Sequence, residues 1–319
     1  MRGRVRTGLL LVGLAAAAVL PLVTQRADAL NLLFLLALYI TLGQSWNIVG
    51  GFAGQTNLGH AAFFGTGALI ARALWTGGTP FPIAFVAGGV AAVAAAIIVG
   101  IPTFRLRGAY FAIGTLAVGE ALRITIGNVF PLITSLPVGL IATYDLSARY
   151  YLALGLAIAT TLAAYLLLRS RVSLGILAIR EDEEAAQATG VNPLRHKLGA
   201  LILSSFFAGL AGSTFAFHQV GYYPSAPYGP NWTFDALLVT FIGGVGTLGG
   251  PVIGAAFYVL VREALAVNLV QLHPIIFGAL FVGVVLALPG GLIDVWSRAR
   301  RWFRPARRAA ATPSRGETG

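Results

Sequence analysis

Residues 180–190 read Arg180-Glu181-Asp182-Glu183-Glu184-Ala185-Ala186-Gln187-Ala188-Thr189-Gly190. The run carries four of the chain's eleven acidic residues, within a sequence that is otherwise mostly apolar. Apolar stretches long enough to cross a bilayer lie on both sides of it. It therefore decides how the rest is read: an all-α integral membrane protein that keeps one charged helix in water between two of its spans. A helix held there is placed to touch something in the aqueous phase.

Composition supports that class. Of 319 residues, 57% are hydrophobic and only 10% are charged, and the mean hydropathy is +0.81. Soluble domains carry about 25% charged residues. This chain has too few charges to cover a globular surface, so lipid must be its solvent. The 40 glycines suit close helix packing in a bilayer. There is no cysteine, which excludes disulfides and thiol chemistry.

Hydropathy predicts about ten spans of roughly 16 to 23 residues, near the length that a ~30 Å hydrocarbon core demands. They fall near 8–23, 29–49, 57–76, 80–101, 109–126, 150–168, 197–219, 234–249, 251–268 and 274–290. Glycine clusters run into the third and eighth. Basic residues then set the orientation. Arg2, Arg4 and Arg6 precede the first span, and Arg105 and Arg107 follow the fourth. Arg169, Arg171, Arg180, Arg195 and Lys197 lie between the sixth and seventh, and a cluster from Arg298 to Arg315 follows the tenth. Ten spans put all these groups on one side, the cytoplasm, and leave only Arg26 and Arg149 in the opposite loops.

Residues 1–295 thus read as one transmembrane domain with a cytoplasmic loop at 169–197, and residues 296–319 as a basic cytoplasmic tail. The net charge of +11 comes from these positions. It points to anionic membrane lipid beside Arg298 to Arg308 rather than to nucleic acid. The N-terminus has two readings, a retained first span or a cleavable signal peptide ending near Ala27-Asp28-Ala29.

The polar run predicts a single helix. Ser173 is placed to cap it, helix formers continue from Ile176 to Ala188, Gly190 stops it and Pro193 prevents resumption. Ile176, Ile179, Glu183, Ala186 and Gly190 share one stripe, and Arg180 faces Glu184 one turn on. The spacing Glu184-Ala185-Ala186, three residues, Gly190 resembles the E-A-A-x-x-x-G signature of permease subunits of ABC importers. In that family the short helix rests in a groove on a cytosolic ATPase. The resemblance implies coupling roles for Arg180, Glu181, Glu184, Ala185, Ala186 and Gly190.

Two glycine-rich segments narrow the family: Gly50-Gly51-Phe52-Ala53-Gly54-Gln55-Thr56-Asn57-Leu58-Gly59-His60 through Gly65, and Gly243 through Gly254. With Arg107 to Ile113 and Thr115 to Glu120, they closely resemble the branched-chain amino acid ABC transporter permease family, its LivM-like subunit, from about residue 30 to residue 295. The resemblance implies a bacterial plasma (inner) membrane protein with a cytoplasmic C-terminus. Its partners would be a second related permease, cytosolic ABC ATPase subunits and a periplasmic or extracellular solute-binding protein. Two departures stand out. Thr56-Asn57 occupies the place of a leucine-serine pair, near the substrate region, and Ser173 that of a glycine before the cytoplasmic helix. Related permeases carry urea or short amides, so the solute stays open within the family. A stand-alone secondary transporter is the rival reading, and it would not need the helix at 176–190.

Enzymatic readings find little support. A P-loop needs G-x-x-x-x-G-K-[ST] to hold phosphates, and the single lysine, Lys197, follows His196. ATP hydrolysis belongs to a partner. Gly244, Gly246 and Gly249 match G-x-G-x-x-G, but a dinucleotide site needs that run inside a βαβ unit. His60, His196, His218 and His273 show no metal spacing, so neither a metal nor a cofactor is expected.

The two glycine segments align on each other, Leu58-Gly59 with Leu248-Gly249, which hints at an internal repeat; five spans per half would make it an inverted five-plus-five repeat with broken helices. Interrupted helices expose backbone to a water-filled path. The candidate path residues are Gly54, Gln55, Thr56, Asn57, His60, Gly246 and Thr247, with a helix N-terminus near Thr56 offering free N–H groups to a carboxylate. The competing reading has the polar residues bonding the broken backbone. Glu120 and Arg123 lie on one face of the fifth span and are expected to pair toward the bundle, a gating role being the rival. Arg72 and Asp235 are expected near span ends, in reach of water.

Overall fold

The computed structural model describes residues 26–268, 278–279, 282–283 and 290–294. The first predicted span lies outside them, as does the basic tail at 296–319. Of the tenth span only residues 278–279, 282–283 and 290 are described.

Among the described residues the chain is predominantly helical. Helix α1, Ala27–Asn47, continues through a π-helical turn, Ile48–Phe52. There follow α2 (His60–Thr76), α3 (Phe81–Thr103), α4 (Ala109–Val129), α5 (Val138–Ala142) and α6 (Leu146–Arg169). Next come α7 (Arg171–Glu181), α8 (Glu183–Ala188), α9 (Pro193–His218), α10 (Pro230–Gly243) and α11 (Gly250–Asn268). Among the described residues, five stretches are long and apolar enough to cross a membrane: Ala27–Phe52, Phe81–Thr103, Ala109–Val129, Leu146–Arg169 and Pro193–His218.

Two expected spans are shorter than the hydropathy implied. Segment 57–76 turns helical only at His60, and segment 234–249 is helical from Pro230 to Gly243. The 14 residues of α10 reach about 21 Å, short of a ~30 Å core. Glycine is the reason. Gly244 and Gly246 have φ of 128° and 73°, values a continuing helix excludes.

Helix α9 is central and packs on α1, α2, α3 and α6, while α10 and α11 form a close pair beside α1. The main core joins Phe34, Leu38, Leu42 and Trp46 of α1 to Leu156, Leu210, Val239 and Tyr258. Small residues set the spacing. A Cβ on Gly67 would lie 2.1 Å from the Gly209 carbonyl oxygen, and one on Gly254 would lie 1.8 Å from that of Val239. Such contacts bring backbones together where lipid supplies no hydrophobic drive.

The two ends of the bundle differ. At one, Arg107 pairs with Glu184 at 2.9 Å, so the 105–107 and 169–197 segments share a side. At the other, Thr134–Ser135 and Gly221–Tyr222 form a short antiparallel pair, β1 and β2. Arg72 binds this end together. It is 3% exposed and donates to the carbonyls of Ala216 (3.1 Å), Gln219 (2.8 Å) and Val220 (3.0 Å). The expectation that Arg72 reaches water is therefore corrected: its charge is spent on the carbonyls ending α9. Asp235 is likewise engaged inside, accepting from Tyr39 Oη (3.0 Å) and Tyr258 Oη (2.6 Å), while Arg262 donates to Tyr39 Oη.

Candidate functional site

The polar run forms two helices rather than one. Asp182 takes an extended conformation (φ −155°, ψ 113°), and its Oδ1 accepts from the N–H groups of Glu184 (2.9 Å) and Ala185 (3.0 Å). A short acidic side chain competes for these donors and so breaks the helix and starts another. Glu183 and Glu184 then fall in the first turn of α8, where the dipole favours them. Ser173 does not cap α7. It lies inside the helix, its hydroxyl donating back to Ser170 O, and Ser170 is the N-cap residue.

Gly190 behaves as expected. It adopts φ 90°, with Gly190 N–H on Gln187 O and Val191 N–H on Ala186 O, a Schellman stop. The polar helix does not resume past Gly190, and Pro193 opens the separate helix α9, with Asn192 Oδ1 accepting from Arg195 N–H.

The expected contact of Arg180 with Glu184 does not form, because the break at Asp182 rotates the two helices apart. Glu184 turns outward to Arg107. Arg180 turns inward, and its guanidinium donates to Gly51 O at 2.9 Å. Glu181, Glu184, Ala185 and Gly190 are exposed, whereas Ala186, 4% exposed, packs inward with Ile176 and Ile179. Glu183 accepts from Lys197 Nζ at 2.5 Å, tying α8 to the start of α9.

Beneath this hook the two glycine-rich segments meet. Asn47 Nδ2 donates to Thr247 O (3.0 Å), Asn47 Oδ1 accepts from Gly246 N–H (2.8 Å), and Gln44 Nε2 donates to Leu248 O (2.7 Å). A Cβ on Gly51 would sit 1.9 Å from Asn47 Oδ1, and one on Gly246 would sit 2.4 Å from the Arg180 guanidinium. Arg180 thus touches both breaks at once.

The N-terminus near Thr56 is not as expected. Helix α2 begins at His60, and its first donors are already used: Ala61 N–H on Thr233 Oγ1 (2.8 Å), with Gly59 N–H on Asn57 Oδ1 (2.9 Å). Asn57 O accepts from Trp46 Nε1 (2.8 Å), and His60 Nε2 pairs with Ser45 Oγ (2.9 Å). For Asn57 and His60, each 1% exposed, the bonds go to the broken backbone and its neighbours. Gly54 and Thr56 are exposed and Gln55 half-buried, on the Arg180 side.

Glu120 and Arg123 do pair, through a two-point contact of 2.5 and 2.8 Å. They do not close into the bundle. Their side chains are 38% and 41% exposed and line a cavity of about 670 Å³ with Leu116, Ser225, Pro230 and Phe234. Sequence reasoning found the pair but not the cavity, whose far wall comes from the chain entering α10. It also missed the Asn47 bridge, since an asparagine inside an apolar span announces only that it needs partners.

A helical membrane body, broken near two glycine segments and carrying a charged external hook, defines a multi-pass membrane transport protein. Its family is that described as branched-chain amino acid transport system / permease component, whose pattern matches residues 29–285, and the chain belongs to it. It is 30% identical to the high-affinity branched-chain amino acid transport system permease protein LivM of Escherichia coli (strain K12), over 91% of this chain and 76% of that protein. The corresponding LivM of Salmonella typhimurium is 29% identical over 81% of this chain and 68% of its own length. A probable LivM from Methanocaldococcus jannaschii is 26% identical over 36% of this chain and 37% of its own. No solved structure matches the chain.

Proposed function

We propose that the chain is the transmembrane permease subunit of an ABC importer for branched-chain or related amino acids. It sits in a bacterial plasma (inner) membrane, with the Arg107–Glu184 end in the cytoplasm. It works beside a second related permease, two cytosolic ATPases and a solute-binding protein outside. The segment 176–190, which holds the second half of α7 and all of α8, seats on an ATPase, and Glu181, Glu184 and Ala185 supply the exposed surface. About ten spans in an inverted five-plus-five arrangement complete the body, and α2 and α10 are its broken members.

The carrying observation is the Arg180 contact. A hook that served only as a loop would have no reason to reach the helix breaks. Here its one inward arginine bonds Gly51 O and packs on Gly246. A secondary transporter has no use for such a link to an exposed helix. Gly54, Gln55, Thr56, Gly246 and Thr247 line the inner end of the solute path, with Asn57 and His60 shaping it from behind.

The test is reconstitution. The subunit is co-expressed with its neighbouring permease, ATPase and binding-protein chains, placed in vesicles, and assayed for ATP-dependent leucine uptake with urea as comparison. Uptake that persists without the ATPase, or after residues 183–190 are replaced by a flexible glycine–serine linker, overturns the importer reading.

A further inference from the structure

Glu120 stands near the middle of its helix, with Arg123 one turn further on. Glu120 lies eleven residues beyond Ala109 in a helix of 21, a rise of about 16 Å and near half of a ~30 Å core. Charges at that depth are rare and face a partner or a water-filled cavity. This pair has both. The contact uses Nε–H and one N–H of Nη2, leaving three of the five guanidinium donors free. It likewise leaves the outer lone pairs of both Glu120 oxygens. The pair therefore presents a positive and a negative edge side by side.

The cavity of about 670 Å³ lies within the usual range for small-molecule sites. Leu116 and Phe234 give it an apolar wall, and Ser225 and Asn231 add polar groups. The inner face of α4 is occupied elsewhere: Thr115 Oγ1 accepts from Leu58 N–H, and Gly119 packs on Gly59. The charge pair is thus held in place by the broken segment before α2. Across the cavity stands the first turn of α10, itself joined to α2 by Thr233.

Resting on the importer reading above, we propose that this cavity is a transit site for a zwitterionic amino acid. Arg123 receives the carboxylate and Glu120 the ammonium. An aliphatic side chain lies against Leu116 and Phe234. An uncharged solute such as urea can hydrogen-bond either edge but brings no opposite charge to it, so it is held more weakly. Because α4 and α10 border the site and Thr233 of α10 bonds the start of α2, movement at the helix breaks changes its width.

The same paired charges could hold a phosphatidylethanolamine headgroup, so the test varies the lipid. The complete complex is reconstituted in vesicles of phosphatidylglycerol alone or with phosphatidylethanolamine. Uptake of radiolabelled leucine is compared for wild type, Glu120→Gln, Arg123→Gln, and the exchange of Glu120→Arg with Arg123→Glu. Each single change is expected to lower uptake about tenfold or more in both lipids, since each removes a charge-assisted contact. ATPase retention should be unchanged. The exchange should not restore uptake, because the two edges are then reversed. Recovery in the exchange variant, wild-type rates in the single variants, or a deficit confined to phosphatidylethanolamine vesicles would each overturn the proposal. Leu116→Trp, which narrows the cavity and keeps both charges, should slow leucine more than alanine; an equal effect also overturns it. A wild-type complex that moves urea but no amino acid overturns the site and leaves the importer standing. One that moves nothing with ATP removes the importer reading itself.

Discussion

The guanidinium of Arg180 lies 2.9 Å from the carbonyl oxygen of Gly51, across 129 residues of sequence. One residue belongs to the exposed hook and the other to the π-helical turn where α1 ends. The hydrogen bond joins the exposed hook to the broken end of α1.

Replacing Arg180 with alanine should therefore separate ATP hydrolysis from transport. A hydrogen bond to a charged group contributes about 1.5–3 kcal/mol, and exposure of Arg180 places this one near the lower end, so uptake should fall roughly tenfold. ATPase retention and basal hydrolysis should hold. Lysine should recover only part, since it offers a point charge in place of a planar fork. The measurement is leucine transported per ATP hydrolysed.

Gly246→Ala should copy that effect from the other partner. Its φ of 73° costs an L-residue about 1–2 kcal/mol, and the new Cβ would fall 2.4 Å from the Arg180 guanidinium. The side chain must move off Gly51 O. Combining the two changes should give little more than either alone, as expected for groups in one contact.

Sidedness can be read by thiol labelling, because the chain has no cysteine of its own. A cysteine at Glu181 should react with an impermeant maleimide only from the cytoplasm, and one at Tyr223, 48% exposed beside β2, only from outside. Labelling at Glu181 from outside would reverse the topology and remove the ATPase from reach.

Arg72→Gln should destabilise the fold rather than the transport step. It leaves three carbonyls at the end of α9 without their cation, a loss of about 2–4 kcal/mol. Thermal unfolding in detergent should drop accordingly. The exposed Arg107–Glu184 pair is the contrast: Arg107→Ala should shift stability by less than about 1 kcal/mol.

Hydropathy made the long spans legible, because α3, α6 and α9 each carry an apolar stretch long enough to cross a bilayer. The ends of α2 and α10 were not, since apolar composition continues through Leu58 and Leu248 while the backbone has already left the helix. The hook was visible as charge, and Gly190 as its stop. Its division at Asp182 was hidden, because a four-residue acidic run reads equally as helix surface or as a cap. Glu120 and Arg123 were found as a pair from their spacing. Which way Arg180 points, and what Arg72 holds, depended on chain distant in sequence that no local pattern reveals.

Asn47 has one carboxamide arm giving and the other taking, both on the chain around Gly246 and Thr247. Aspartate there would set oxygen against the Thr247 carbonyl, and leucine would satisfy neither arm. In a saturation screen for growth on scarce leucine, codon 47 should tolerate almost nothing, although it touches neither solute nor motor. Its fitness would report whether two distant stretches of chain still move as a single hinge.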